Sequence, residues 1–294
     1  MLKVGLLGLG TMGGGMAAVL LKAGFPLTVY NRSPERAAPF AAQGAHLATT
    51  PREAAEASDV VIAMVADDRA SRETWTGAKG ALAGAPRGAT LIECSTVSPS
   101  WARELAALAA KQGCGFLDAP VTGSKAQASS GALRFLVGGD AQTIQRAEPV
   151  LRALGNEIIP FGPAGSGALM KLINNMVCGV QIASLSEALA LIESGGLNTT
   201  EALGVLTSGA PGSPLVRGVA TRMTEGDPAV NFTVRLMQKD LSYALAEGDS
   251  HHVALNTVHA ALSAFQHATE NGLGERDISF VLRSRVSAQA RTDW

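Results

Sequence analysis

Cysteine, aromatic residues and an excess of charge of either sign are all scarce in this chain of 294 residues. The three cysteines, Cys94, Cys114 and Cys178, stand far apart and match no metal or redox pair, so free buried thiols are expected. Five histidines include the adjacent His251 and His252, but no His-Glu-x-x-His or comparable ligand spacing surrounds them. A metal-dependent mechanism has no support, and no metal is expected. A formal net charge of -1, with acids and bases interspersed, offers nothing to a polyanion or a membrane surface, so nucleic acid and membrane are not expected partners. Uninterrupted apolar runs of about 18 residues are missing too, and the glycine-broken N-terminal stretch lacks a signal-type cleavage segment. A cytoplasmic location is the expectation. The 47% hydrophobic content is ample for a sizeable core in one large or two modest domains.

What the chain does have is a glycine-rich turn near its start. Lys3 to Leu7 forms a short apolar run that breaks into Gly8-Leu9-Gly10-Thr11-Met12-Gly13 before a helical pattern begins. One glycine ends a strand in a tight turn, a second lets a pyrophosphate approach the backbone, and a third lets the helix pack closely. Free amides and the positive end of the helix then face the phosphates. The second strand, Leu27 to Tyr30, ends about 20 residues past the glycines, where NAD-selective sites carry an acid for the ribose hydroxyls. That acid is missing here. Asn31, Arg32, Ser33 and Arg36 supply an amide, a hydroxyl and two guanidinium groups instead, which suit a 2′-phosphate. NADP(H) is therefore the expected cofactor.

Further β-rich runs lie at Val60 to Val65, Thr90 to Cys94, Gly115 to Leu117, Leu133 to Val137 and Glu157 to Phe161, separated by alanine-rich helical stretches. The alternation predicts an α/β fold, a Rossmann-type doubly wound sheet over residues 1–162. Ligands of such sheets lie at the carboxyl ends of the strands. Val65 and Ala66, and Ser95 and Thr96, are accordingly candidates to border the nicotinamide. Past Gly162 the pattern changes. Ala168 to Ser194 reads as one long helix joining a second, all-helical domain over residues 163–294 for substrate and self-association. The apolar Leu185, Leu189, Leu191 and Ile192 around that helix predict a homodimer or homotetramer.

Two segments carry candidate chemistry. Lys171 and Asn175 sit four residues apart on the long helix and share a face. The lysine has apolar neighbours and lies in early turns where the helix dipole disfavours a cation, so a role in moving the proton that accompanies hydride transfer fits it. The loop Thr122-Gly123-Ser124 offers hydroxyls and amides to a small carboxylate, or equally a connection whose hydroxyls cap the next helix. Lys125, just after it, is either a second positive group for the substrate or a solvated lysine near the cofactor phosphates.

These motifs, with Ser95-Thr96-Val97 and Lys239-Asp240-Leu241, occur in the order seen in the β-hydroxyacid dehydrogenases, and the chain resembles that family over nearly its whole length. The family includes 3-hydroxyisobutyrate dehydrogenase, tartronate semialdehyde reductase and the glyoxylate/succinic semialdehyde reductases. The resemblance implies that Lys171 is the catalytic acid/base and that Asn175 orients it or the substrate oxygen. It further implies that Thr122 and Gly123 hold the substrate carboxylate, that Thr96 and Lys239 border the cofactor, and that Asp240 positions Lys239 or closes the site. The family loop commonly reads Val-Ser-Gly-Gly. Here Thr122 and Ser124 depart from it, and Gly123-Ser124-Lys125 resembles the glyoxylate/succinic semialdehyde branch. The lysine counts against an imine reductase. The implied activity is NADPH-dependent reduction of a small carboxylate-bearing aldehyde, with 3-hydroxyisobutyrate dehydrogenase, tartronate semialdehyde reductase or a non-catalytic cofactor-binding scaffold as alternatives.

Overall fold

The computed structural model describes residues 1–226 and 228–285. Two compact units divide the chain, Met1–Lys171 and Leu172–Trp294. The part of the expected helical domain at residues 286–294 lies outside the described residues.

The first unit is built on a nine-stranded sheet with helices on both faces. Its strands are β1 (Val4–Leu7), β2 (Leu27–Tyr30), β3 (His46–Leu47), β4 (Val60–Ala63), β5 (Thr90–Glu93), β6 (Gly115–Asp118), β7 (Val121–Thr122), β8 (Leu133–Gly138) and β9 (Gly155–Gly162). The order across the sheet is β3-β2-β1-β4-β5-β6-β8-β7, with β9 also paired to β8. Pairing is parallel from β3 through β6, while β6 and β7 run antiparallel to β8.

Strand periodicity explains why both faces are covered. Val60 and Ile62 of β4 join one core with Met16, Leu20 and Val29, whereas Val61 and Ala63 join another with Trp75, Leu91 and Trp101. Successive side chains point to opposite faces, so a strand buried on both reads as an unbroken apolar run. The two-residue strands β3 and β7 are too short to show such a period and are not visible in the sequence.

The long helix runs Ser166–Ser194. In the second unit it packs with helices Pro214–Glu225, Val234–Ser250 and Asn256–Ala268 around Ile182, Leu189, Val219, Met237, Leu241 and Phe265. By length and mean hydropathy alone, 1.5, it is apolar enough to cross a membrane, and 44% of that window is buried inside the protein. Leu185, Leu189 and Ile192 share one helical face and are buried in their own unit's core, contrary to the expectation that they need a second copy to cover them. Leu191 falls off that face and is 73% exposed.

Candidate functional site

The glycine turn shows a different physical need at each glycine. Gly8 has φ +99°, and a Cβ there would lie 2.3 Å from the Met64 carbonyl oxygen. At Gly13 a Cβ would lie 2.0 Å from the Gly8 carbonyl oxygen, so this glycine seats the helix Thr11–Lys22 on the turn. A Cβ on Gly10 would meet no atom within 4 Å. Its glycine is not required by packing, and it leaves the backbone of the helix N-terminus open. No side chain caps that terminus, and the helical ladder begins with Gly14 N–H donating to the Gly10 carbonyl. The amides of Thr11, Met12 and Gly13 therefore precede the ladder, available to an anion. A dinucleotide's phosphates fit this cradle.

The end of β2 contributes differently from residue to residue. Asn31 faces inward: its Oδ1 accepts from Leu9 N–H at 2.8 Å and its Nδ2 donates to the Ser33 carbonyl at 2.9 Å. The side chain thus ties the strand end to the glycine turn, and Leu9 is buried there with its amide engaged. Arg32 and Arg36 are exposed, and Ser33 is half-buried.

At the ends of β4 and β5, Val65 N–H donates to Ser95 Oγ at 2.7 Å, locking the two connections together. Beneath them Glu93 is fully buried, receiving Ser95 N–H and Trp75 Nε1–H, each at 2.8 Å, and the Ser71 hydroxyl. Ala66 is exposed and Thr96 half-buried.

The end of β6 fixes the start of the long helix. Asp118, buried, accepts Gly165 N–H at Oδ1 and Ala168 N–H at Oδ2, both at 2.8 Å. Burial pushes its carboxyl above the ordinary range against the opposing pull of these amides. The approach is close: a Cβ on Gly167 would stand 2.2 Å from the Leu136 carbonyl oxygen, and one on Gly138 would stand 2.5 Å from Asp118 Oδ1. Lys171, half-buried, follows Ala168 by one turn. One carboxylate thus anchors the helix that carries Lys171 to the strand end from which the Thr122 to Lys125 loop departs.

In that loop Gly123 has φ +123°, a conformation that favours glycine. Ser124 donates both its N–H and its hydroxyl to Gln127 Oε1, at 2.8 and 2.6 Å, so its side chain closes the N-terminus of helix Lys125–Ser130. Thr122 is half-buried and pairs with Arg134 across β7 and β8, and Lys125 is exposed. The short helix leans on Thr11–Lys22 at Gly15, where a Cβ would stand 3.0 Å from Ala128 and Ser129 atoms.

Within the second unit, Asn175 is buried and its Nδ2 donates to Asp240 Oδ2 at 2.6 Å. Gly179, one turn further on, lets the helices come together, since a Cβ there would stand 2.8 Å from Leu241 Cδ2. Lys239 Nζ lies 3.1 Å from Asp240 Oδ1 and 5.2 Å from the Tyr243 ring centroid. Asp240 joins Asn175 and Lys239 in one polar cluster.

Residues 3–162 match the family model described as the NAD binding domain of 6-phosphogluconate dehydrogenase. Residues 165–284 match the one described as NAD-binding of NADP-dependent 3-hydroxyisobutyrate dehydrogenase. The chain belongs to the β-hydroxyacid dehydrogenase family. It is 33% identical to the NAD-dependent L-serine dehydrogenase of Pseudomonas aeruginosa, over 96% of this chain and 97% of that one. To the chloroplastic glyoxylate/succinic semialdehyde reductase 2 of Arabidopsis thaliana it is 32% identical, over 98% and 81% of the two chains. The solved structure of Mycobacterium tuberculosis 3-hydroxyisobutyrate dehydrogenase with L-serine is similar at a TM-score of 0.87 and 32% identity, covering 97% of this chain and 100% of that one. This member of the β-hydroxyacid dehydrogenases is an NAD(P)-dependent oxidoreductase.

Three residues that shape these sites were missed in the sequence: Glu93, Asp118 in its anchoring role, and Gly15. For both acids the available signal was a carboxylate closing an apolar strand, in Leu91-Ile92-Glu93 and Phe116-Leu117-Asp118. For Gly15 it was the third consecutive glycine of Gly13-Gly14-Gly15.

Proposed function

We propose that this dehydrogenase is an NADPH-dependent reductase of small carboxylate-bearing aldehydes, of the glyoxylate/succinic semialdehyde type, working in reverse on the β-hydroxy acid. The observation that carries the reading is Asp118, whose carboxylate holds the Gly165 and Ala168 amides and so fixes the helix bearing Lys171 to the end of β6.

The residues present would hold the dinucleotide as follows. The uncapped helix N-terminus at Gly10 to Gly13 takes the pyrophosphate. Arg32 and Arg36, exposed at the end of β2 where an acid would favour NAD, take the 2′-phosphate with Ser33. The locked Val65 and Ser95 connections, with Ala66 and Thr96, form the rim for the nicotinamide. When bound, the nicotinamide supplies the hydride that reduces the carbonyl carbon.

Lys171 gives a proton to the carbonyl oxygen as negative charge develops there, and in the reverse direction accepts the hydroxyl proton. The Thr122 hydroxyl and the Gly123 amide receive the substrate carboxylate, with Lys125 adding positive charge. Ser124 contributes by holding Gly123 in place through Gln127. Asn175, whose amide is oriented by Asp240, follows Lys171 by four residues on the same helix. Association into a homodimer or homotetramer is part of the proposal, supported by the exposed Leu191, Leu197 and Val205 of the second unit. The experiment for the mechanism is Lys171→Met: kcat should fall by about two to four orders of magnitude while NADPH affinity stays within about threefold. Near-normal turnover overturns the role given to Lys171.

A further inference from the structure

Glu93 is a charged group that the proposed chemistry does not use, sealed beneath the rim of the cofactor site. Its side chain is fully buried between helices Asp68–Trp75 and Pro99–Lys111 on one face of the sheet. Every hydrogen-bond partner the geometry gives it is a donor. Trp75 Nε1–H and the Ser71 hydroxyl reach Oε2, and Ser95 N–H reaches Oε1. The Ser71 oxygen itself accepts Trp101 Nε1–H at 2.7 Å, so its own proton turns toward the carboxylate. The Ser95 oxygen likewise accepts Val65 N–H, which frees its proton for Glu93. Two donor relays, one from Trp101 and one from Val65, therefore converge on a single carboxyl group. A protonated carboxyl would set its own hydrogen against these donors. Burial pushes this carboxyl above the ordinary carboxylate range, and the hydrogen bonds from Ser71, Ser95 and Trp75 pull against that shift, because they suit the ionised form, an acceptor-only group with room for several donors.

Two consequences follow from the position of the carboxylate. Through Ser95 it fixes Val65, so the backbone on which the nicotinamide would lie is held from below. A buried charge also acts over distance, because protein screens it far less than water does. The nicotinamide ring is cationic when oxidised and neutral when reduced. We propose that Glu93 is a positioning residue for the cofactor rim, and that its buried negative charge favours the oxidised cofactor over the reduced one.

The inference rests on the nicotinamide site alone and not on the preference for a 2′-phosphate. Its test titrates the purified full chain with NAD+, NADH, NADP+ and NADPH by calorimetry, and reads the ratio of oxidised to reduced Kd within each pair. A failure of NADPH preference changes which pair binds and leaves the ratio readable in the other. Glu93→Gln keeps the side-chain volume and removes the charge. The ratio should rise by about three- to tenfold, mostly through weaker binding of the oxidised form. An unchanged ratio, even with lowered thermal stability, shows that the group is neutral or serves packing only, and overturns the proposal. Trp75→Phe removes one donor but leaves the charge, so its ratio should stay within about twofold of the parent. A shift as large as that of Glu93→Gln would assign the effect to the disturbed rim and also overturn it. Should the glutamine variant not fold, Glu93→Asp retains the charge while drawing away from Ser71 and Trp75. It should weaken both cofactor forms together at a constant ratio, and a ratio that moves contradicts the proposal.

Discussion

Replacing Gly10 by alanine separates what the dinucleotide needs from what the fold needs. At Gly10 φ is -70° and ψ is -163°, which any residue adopts, and an added Cβ meets nothing within 4 Å. Alanine is a poorer N-cap than glycine by somewhat under about 1 kcal/mol, and the reduced freedom of the unfolded chain returns about 0.4–1 kcal/mol. The net change in stability of the cofactor-free protein should be within about 1 kcal/mol, a shift in Tm of no more than about 4 °C. The cofactor meets a different surface. A methyl group would stand over the open amides of the helix N-terminus and displace a phosphate from one or two charge-assisted hydrogen bonds. At about 1.5–3 kcal/mol each, the loss of one weakens binding by roughly tenfold to about 150-fold, and the loss of both by more. Thermal unfolding with increasing NADPH measures both quantities, since protection grows as RT ln(1 + [L]/Kd). Gly13→Ala is the contrast: its Cβ would fall 2.0 Å from the Gly8 carbonyl oxygen, so it should lower Tm strongly without cofactor. The reasoning is refuted if Gly10→Ala binds NADPH within about threefold of the parent, or unfolds in the cofactor-free state as early as Gly13→Ala.

Two further outcomes are expected. Asp118→Asn keeps the volume but offers one acceptor oxygen to the two amides of Gly165 and Ala168, leaving a buried N–H without its partner. Stability should fall by about 1–3 kcal/mol in denaturant titration, and kcat should fall more than cofactor affinity because the turn leading to Lys171 loosens. Arg32→Ala should cost NADPH about 1.5–3 kcal/mol of binding and NADH far less, read from the two Kd values; an equal loss for both removes the argument for a 2′-phosphate.

Much of this protein was legible before its structure because its strands carry a strong signal. Strands buried on both faces appear as apolar runs, and Val60–Ala63, Thr90–Glu93 and Leu133–Gly138 all fall within or beside the predicted stretches. The glycine turn was readable because glycine itself marks backbone that a side chain would block, as at Gly8 and Gly13. Local patterns could not reveal long-range pairing of polar groups. Asp118 finds its partners about fifty residues downstream, and Asn175 and Asp240 meet across two helices that only tertiary packing brings together. The sequence offered Asn31 as a ligand group and Ser124 equally as a ligand group or a helix cap, and the fold engages Asn31 with Leu9 and Ser124, as a cap, with Gln127. A hydroxyl or amide in a turn satisfies its neighbours' backbone as readily as a substrate, and the choice depends on geometry that spacing does not encode. The apolar long helix was misjudged for a related reason. Its hydrophobic face is covered by its own unit, through contacts with Val219, Met237 and Phe265 that no local window contains.

The central claim is that this dehydrogenase reduces an aldehyde whose carboxylate is gripped by the Thr122 to Lys125 loop. Its most direct test is kcat/KM, with NADPH, for succinic semialdehyde against a neutral aldehyde of the same length. The account predicts a preference for the acid of at least about tenfold, from one charge-assisted contact of about 1.5–3 kcal/mol, and a narrowing of that gap through KM in Lys125→Ala. An equal or higher kcat/KM for the neutral aldehyde would contradict it.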